Sequence, residues 1–428
     1  MTRLKLSEKM DTTRLSLANF MGFHDKDLLK KTKIFYQFMQ ESRKLGYDTY
    51  RRPLVSGTGN RVMVRDEMMG DVREMIMMGS NNYLGLANHP KMVEAAEKAI
   101  RKYGVGSGGA SLLSGTLELH QQLEQRIAKL KGCEDAVLFT SGFAANLGAL
   151  SALLSHRDVV INDKLNHASI IDGCRLSGAG IEIFGHNNMD HLESILRYTD
   201  ERWEGKLVVV DGVFSMDGDM SPLDKIVELK EKHKAYLMVD EAHSTGVIGP
   251  GGRGALAHHK VDGKADLVMI TFSKAFGCQG GAVACSKEVA EYLRFFSRST
   301  FFSTSPSPVV VAAAIAAIDI LEQEPERHKK LWENISYMLQ NLKTMGYDTR
   351  GTQSAIIPIV IGDEMKLREM SVEIHKAGIY LNAIPYPAVP KGQARFRITI
   401  MATHTREDLD RTLETLAHVG RKFGILTT

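Results

Sequence analysis

Lys274 stands two residues beyond the apolar run Leu267–Phe272, in the stretch LVMITFSKAFG. An ammonium group so close to buried strand residues is costly unless it is paired, neutralised or used. Most lysines escape by extending to water, so the position alone decides nothing. Asp240 poses the same question 34 residues earlier, where it closes the run YLMV. A carboxylate there needs a partner, although capping the next helix or turn would explain a lone aspartate equally well. The tetrapeptide Asp240-Glu241-Ala242-His243 also spells the box of a helicase motor, which requires a G-x-x-x-x-G-K-[ST] phosphate loop. Here Leu207 follows Gly205-Lys206 and Ala265 follows Gly263-Lys264, so that reading fails.

His167, in NDKLNHASIIDG, would by itself be an ordinary histidine near a helix start. In TSGFAAN, Ser141, Gly142 and Phe143 stand where a strand gives way to a helix. Free N–H groups at such a terminus attract anions, phosphate above all. The pattern is not the G-x-G-x-x-G of a dinucleotide fold, and GVGSGGASLLSG follows a helix rather than a strand. Together, one lysine, one acid, one histidine and one anion-binding helix start are the parts needed to hold pyridoxal phosphate. The lysine condenses with its aldehyde. The acid keeps the pyridine nitrogen protonated, so that the ring withdraws electrons. The histidine can stack on the ring while the helix terminus neutralises the phosphate.

These residues need a scaffold that brings them together. Short apolar runs alternate with helix-length amphipathic stretches: AVLFTS (136–141), DVVIND (158–163), IEIFG (181–185), LVVVDG (207–212), YLMVDE (236–241), LVMITF (267–272) and AVACS (282–286). That alternation predicts an α/β fold with a mostly parallel central sheet covered on both faces. Ligands of such sheets sit beyond the carboxyl ends of the strands, where SGFAAN, DGVFSMDGD, DEAHSTG and SKAFG all fall. Residues 1–60 read as an appended, partly helical arm and 61–305 as a large domain. Residues 306–428 read as a smaller C-terminal α+β domain with strands IIPIVIG (356–362) and ARFRITIMA (394–402).

The bulk composition narrows the possibilities. The 428 residues are 43% hydrophobic and 25% charged, as in ordinary globular proteins. Lys and Arg number 54 against 51 Asp and Glu, and a net +3 gives no footprint for nucleic acid. Cys133, Cys174, Cys278 and Cys285 lack CxxC spacing and read as reduced thiols of a cytoplasmic protein. The N-terminal MTRLKLSEKMDTTRLSL has no signal-peptide core. Val309–Ile318 is too short to span a bilayer and reads as a buried helix, which leaves peripheral membrane contact open. The methionines of VMVRDEMMGDVREMIMMG suit either flexible walls for a long acyl group or, preferably, ordinary core packing.

From GSNNYLGLANHP (79–90) to TREDLDRTLETL (405–416), the chain resembles the α-oxoamine synthases, fold-type I pyridoxal-phosphate transferases. The resemblance rests on NNYLG, SGFAAN, NHASIIDG, DGVFSMDGD, VDEAHSTGVIGPGGRG, TFSKAFG, FFSTSPSP and VPKGQARFR. It implies that Lys274 carries the cofactor covalently and then serves as base, and that Asp240 pairs with the pyridine nitrogen. His167 would stack on the ring, with His243 and Ser215 on its phenolic oxygen side. Ser141, Gly142, Phe143, Thr271 and Ser273 would surround the phosphate. Thr304 would reach the phosphate of a neighbouring subunit, which implies a homodimer. Asn81 and Arg397 would hold a substrate carboxylate, a task suited to the rigid guanidinium fork.

The implied reaction is a decarboxylating condensation of a small amino acid with an acyl thioester, carried by coenzyme A or a carrier protein, to give an α-amino ketone. GTLELH, DEAHS, TFSK, EPERHKKLWE and MATHT are most similar to serine palmitoyltransferase, and L-serine with a long-chain acyl-CoA is the leading expectation. GSGG, SGFAAN and TGVIG are similar to 8-amino-7-oxononanoate synthase, and YPAVPKGQAR to glycine C-acetyltransferase. Pro385-Tyr386-Pro387 departs from the Arg-Pro-Pro common in the first two groups and removes one candidate carboxylate partner. An aminotransferase on the same fold, or a cofactor-binding protein without turnover, are rivals of other classes.

Overall fold

The computed structural model describes residues 17–21, 25–66, 70–200 and 202–427. The N-terminal stretch 1–16 and the methionines Met68 and Met69 lie outside the described residues. The strands in chain order are β1 Arg61–Asp66, β2 Asp71–Met77, β3 Asp135–Phe139, β4 Asp158–Asp163, β5 Gly180–Phe184, β6 Gly205–Asp211 and β7 Tyr236–Asp240. They continue with β8 Leu267–Thr271, β9 Gly281–Cys285, β10 Ile356–Gly362, β11 Ile379–Tyr380, β12 Asn382–Ile384 and β13 Ala394–Thr399. Each apolar run of the central region becomes a strand, and the inner strands are covered on both faces. Every residue of β8 and β9 is buried, whereas the edge strand β5 leaves Ile181 and Ile183 exposed.

The central sheet has seven strands in the order β3-β9-β8-β7-β6-β4-β5. Its pairings are parallel from β8 through β5, and β9 runs antiparallel to both β8 and β3. Fold-type I transferases have this mostly parallel α/β core. A second sheet, β10-β13-β12, is antiparallel and is covered by the helix Glu364–Lys376. The third sheet joins the β1–β2 hairpin to β11, with Ile76 and Met77 paired to Ile379 and Tyr380. Of the Met-rich stretch, Met75 and Met77 pack with Val62, Val64 and Met401 in a buried cluster, so core packing is their role.

The helix Pro308–Gln323 has 16 residues and is largely buried. Among the described residues no helix is long and apolar enough to cross a membrane. In the arm, the helix Lys30–Lys44 buries Phe38. Arg52 then ties the segment to the C-terminal region, donating to His375 Nδ1 at 2.7 Å and to the Leu381 carbonyl at 3.1 Å.

Candidate active site

A cavity of about 240 Å³ opens beyond the carboxyl ends of the central strands. Ser141, Gly142, Phe143, His167, Asp240, His243, Thr271, Ser273 and Lys274 all line it, so nine side-chain positions read from the sequence converge on one place. Larger cavities exist, including one of about 550 Å³ lined by Gly205, Tyr236 and Leu267 at the opposite strand ends. Of these two, the smaller one alone combines an amine, a carboxylate and imidazoles among its lining residues.

The anion-binding end is built by the turn from β3 into the helix Gly142–Leu153. Ser141 caps that helix: its Oγ accepts the Ala144 N–H at 3.1 Å, and its carbonyl accepts the Ala145 N–H at 3.0 Å. The first N–H groups, at Gly142 and Phe143, have no intrahelical acceptor, which is the arrangement that suits an anion. A Cβ at position 142 would lie 2.9 Å from Thr271 Cβ, so only glycine lets this helix start settle against β8. The Thr271 and Ser273 hydroxyls are 3.0 Å apart beside it, and one Thr271 bond, to the Gly280 carbonyl, fixes the rotamer.

Asp240, at the end of β7, accepts from Asn146 Nδ2 at 2.8 Å and from the Ala242 N–H at 2.9 Å. Asn146 also donates to Ser169 Oγ at 2.9 Å. His167 caps the helix Ala168–Ser177, its Nδ1 accepting the Ser169 N–H at 3.2 Å, and burial holds its pKa below the usual value. On β6, Asp211 lies directly across from Asp240. Burial, and then the neighbouring Asp240 charge, raise the Asp211 carboxyl well above the ordinary range.

Lys274 is half-buried, and desolvation brings its amine down to about 8; Asp240 opposes the shift and Arg397 adds to it. The lysine loop is seated by Gly277, whose φ is +67° and whose hypothetical Cβ would lie 2.5 Å from the Ala87 backbone nitrogen. The NNYLG segment is thereby pressed against the lysine loop. From that segment Tyr83, fully buried and pushed up to about 12 by burial, approaches His243 Nδ1 at 2.7 Å. The same hydroxyl is 3.4 Å from Asn81 Oδ1. The Tyr83 hydroxyl thus links Asn81 to a neutral His243 ring. Burial holds His243 well below its usual pKa, consistent with that neutral form.

Asn81 and Arg397 stand together at the edge of this network. Arg397 donates from Nη1 to Asn81 Oδ1 at 3.1 Å and from Nε to the Ser215 carbonyl at 2.5 Å. Two of its five donors are thus used for aim, and the guanidinium also reaches the Tyr83 hydroxyl. Ser215 acts here through its backbone. Thr304 lies apart from the cavity, bridged to Ala110. Asn146, Ser169, Asp211 and Tyr83 escaped the sequence reading; Asn146 and Tyr83 lie inside quoted motifs, but nothing in their spacing marks them as partners of Asp240 and His243.

Pyridoxal phosphate fits this residue set. An amine, a hydrogen-bonded carboxylate, an imidazole and a capped helix terminus beside two hydroxyls share one cavity. Among the described residues no cluster of His, Cys, Asp and Glu could hold a metal ion.

The profile "Aminotransferase class I and II" matches residues 73–416. The chain is 46% identical over 356 residues to the 8-amino-7-oxononanoate synthase of Symbiobacterium thermophilum, covering 83% of this chain and 91% of that protein. It is 41% identical over 405 residues to the enzyme of that name from Thermoanaerobacter pseudethanolicus, covering 95% and 100%. Among solved structures, the K265A serine palmitoyltransferase of S. paucimobilis with a bound PLP–myriocin aldimine superposes with a TM-score of 0.88 at 33% identity, covering 94% of this chain and 100% of that one. The chain therefore belongs to the aminotransferase class I and II family and, within it, to the α-oxoamine synthases, the acyltransferases that use pyridoxal phosphate.

Proposed function

We propose that this enzyme condenses L-alanine with a pimeloyl thioester, with loss of carbon dioxide, to give 8-amino-7-oxononanoate. The observation that supports the choice of substrates is the 46% identity over 83% of the chain to one 8-amino-7-oxononanoate synthase and the 41% identity over 95% of it to another. The motifs that favour L-serine and a long acyl chain, with the 33% identity to a solved serine palmitoyltransferase against 28% to a solved 8-amino-7-oxononanoate synthase, support the second reading that the substrate matrix tests.

In this reading Gly142, Phe143, Thr271 and Ser273 hold the phosphate, Asp240 the pyridine nitrogen and His167 the ring face. His243 and the Ser215 segment lie on the phenolic side, and Lys274 is the covalent anchor. When bound, pyridoxal phosphate supplies an aldehyde that takes up an amine and a ring that draws electrons from the attached Cα. Arg397, aimed by Asn81 and the Ser215 carbonyl, grips the substrate carboxylate bidentately and so sets which Cα bond faces the ring. Lys274, displaced by the substrate, removes the Cα proton; an amine near 8 is partly unprotonated at neutral pH and suits that task. Thr304 and the apolar surface around it face a second copy of the chain, which makes the enzyme a homodimer.

The test is a matrix of glycine, L-alanine and L-serine against acetyl, pimeloyl and palmitoyl thioesters, read by free thiol release and product mass. Thiol release confined to L-alanine with a pimeloyl donor is expected. Serine with palmitoyl-CoA, or glycine with acetyl-CoA, would replace the substrate assignment. A keto-acid requirement without thiol release would make the protein an aminotransferase.

A further inference from the structure

Beyond the cavity, His186 lies between two carboxylates. It follows β5, and its ring nitrogens approach Asp163 at 3.0 Å through Nδ1 and Asp219 at 2.8 Å through Nε2. Asp163 is fully buried at the end of β4 and also accepts the Asn187 and Leu165 N–H groups, each at 2.8 Å. Asn187 strengthens the bridge by donating from Nδ2 to Asp219 and to the Met220 carbonyl, both at 3.0 Å. Phe214 packs edge-on to the imidazole with centroids 4.4 Å apart. A ring that serves two carboxylates must donate from both nitrogens, so it carries both protons.

Asp219 belongs to a small hairpin, residues 213–220. Val213 bridges Met220, the Phe214 N–H donates to the Asp219 carbonyl at 3.0 Å, and the Gly218 N–H donates to the Phe214 carbonyl at 2.8 Å. The tip of this hairpin meets β13. Ser215 offers its carbonyl to Arg397, while Met216 and Asp217 engage Arg395 at 3.1 and 2.6 Å. The hairpin is therefore pinned to the central sheet at its base and aims Arg397 at its tip.

We infer that His186 is a positioning residue for the amino-acid substrate: bridged to Asp163 and Asp219, it holds the 213–220 hairpin so that the Ser215 carbonyl fixes the direction of Arg397. The inference rests on the assignment of Arg397 to the substrate carboxylate. Val213, at the base of the hairpin, also lines the cofactor cavity, whereas the contact to Arg397 is made at the tip, through the Ser215 carbonyl.

The test uses the holoenzyme with His186→Gln and Asp219→Asn, the second retaining the His186–Asp163 contact should the first fold poorly. Calorimetric titration with L-alanine is expected to show about tenfold weaker binding in each variant, as for loss of one charge-assisted hydrogen bond. KM for the amino acid should rise in step, while kcat, KM for the thioester and cofactor content stay near parent values. Unchanged alanine binding would overturn the inference, as would a rise in thioester KM accompanied by a joint fall of alanine binding, cofactor content and melting temperature. Arg397→Lys is the separate control: if it leaves alanine binding intact, the assignment of Arg397 fails, whatever the His186 variants do.

Discussion

At the scale of single residues, the site turns on how burial sets protonation. Lys274 has its amine lowered to about 8, so below that pH its ammonium form predominates and cannot attack an aldehyde. The rate at which the apo-enzyme takes up pyridoxal phosphate should therefore rise with pH through about 8 and level off above it, followed by absorbance after rapid mixing. A pH-independent rate would refute a desolvated, deprotonating anchor. Lys274, Asp240 and His167 could be found in the sequence because each is a chemically conspicuous residue at the end of an apolar run. Asn146 and Tyr83 could not. Their roles depend on which buried acid or imidazole they meet in space, and one-dimensional spacing carries no record of that.

Among the elements, the loop after β7 shows how a catalytic strand end is kept in place. Glu241, next to Asp240, is buried and paired with the buried Lys131, which also donates to Thr245 Oγ1 at 2.6 Å and to the Arg253 carbonyl at 2.7 Å. The second Glu241 oxygen accepts the Leu256 N–H at 2.9 Å. Lys131→Met leaves a buried carboxylate without its cation and should cost about 3–5 kcal/mol of stability. Differential scanning calorimetry should record that loss, and adding Glu241→Gln should recover part of it. The strands were readable from sequence almost residue for residue, β4 of the central sheet and β10 of the second sheet coinciding with their apolar runs at 158–163 and 356–362. β1 and β2 were not. Their methionines and interspersed charges blur the alternation, and the strand that completes their sheet is contributed by Ile379 and Tyr380.

For the molecule as a whole, the surface around the Thr304–Ala110 bridge is unusually apolar. Val105, Leu113 and Phe302 are 79, 77 and 71% exposed, and the Ser307 hydroxyl holds the Val105 carbonyl beside them. A patch of this kind supports the proposed contact between two copies of the chain. Sedimentation equilibrium should give a dimer, and Leu113→Asp combined with Phe302→Asp should shift it to monomer with weakened cofactor retention, as the proposed reach of Thr304 into a neighbouring phosphate site requires. A stable parent monomer would remove this account.

The pairing of β2 with β11 also has a consequence for synthesis on the ribosome. Residues 71–77 emerge early, yet their partners Ile379 and Tyr380, and Met401 of the same buried cluster, are translated near the end. Until then the nascent chain presents an open strand edge and uncovered methionines. A product truncated before these residues retains the cavity-lining loops but not that closure, and is a natural client for chaperones and proteases.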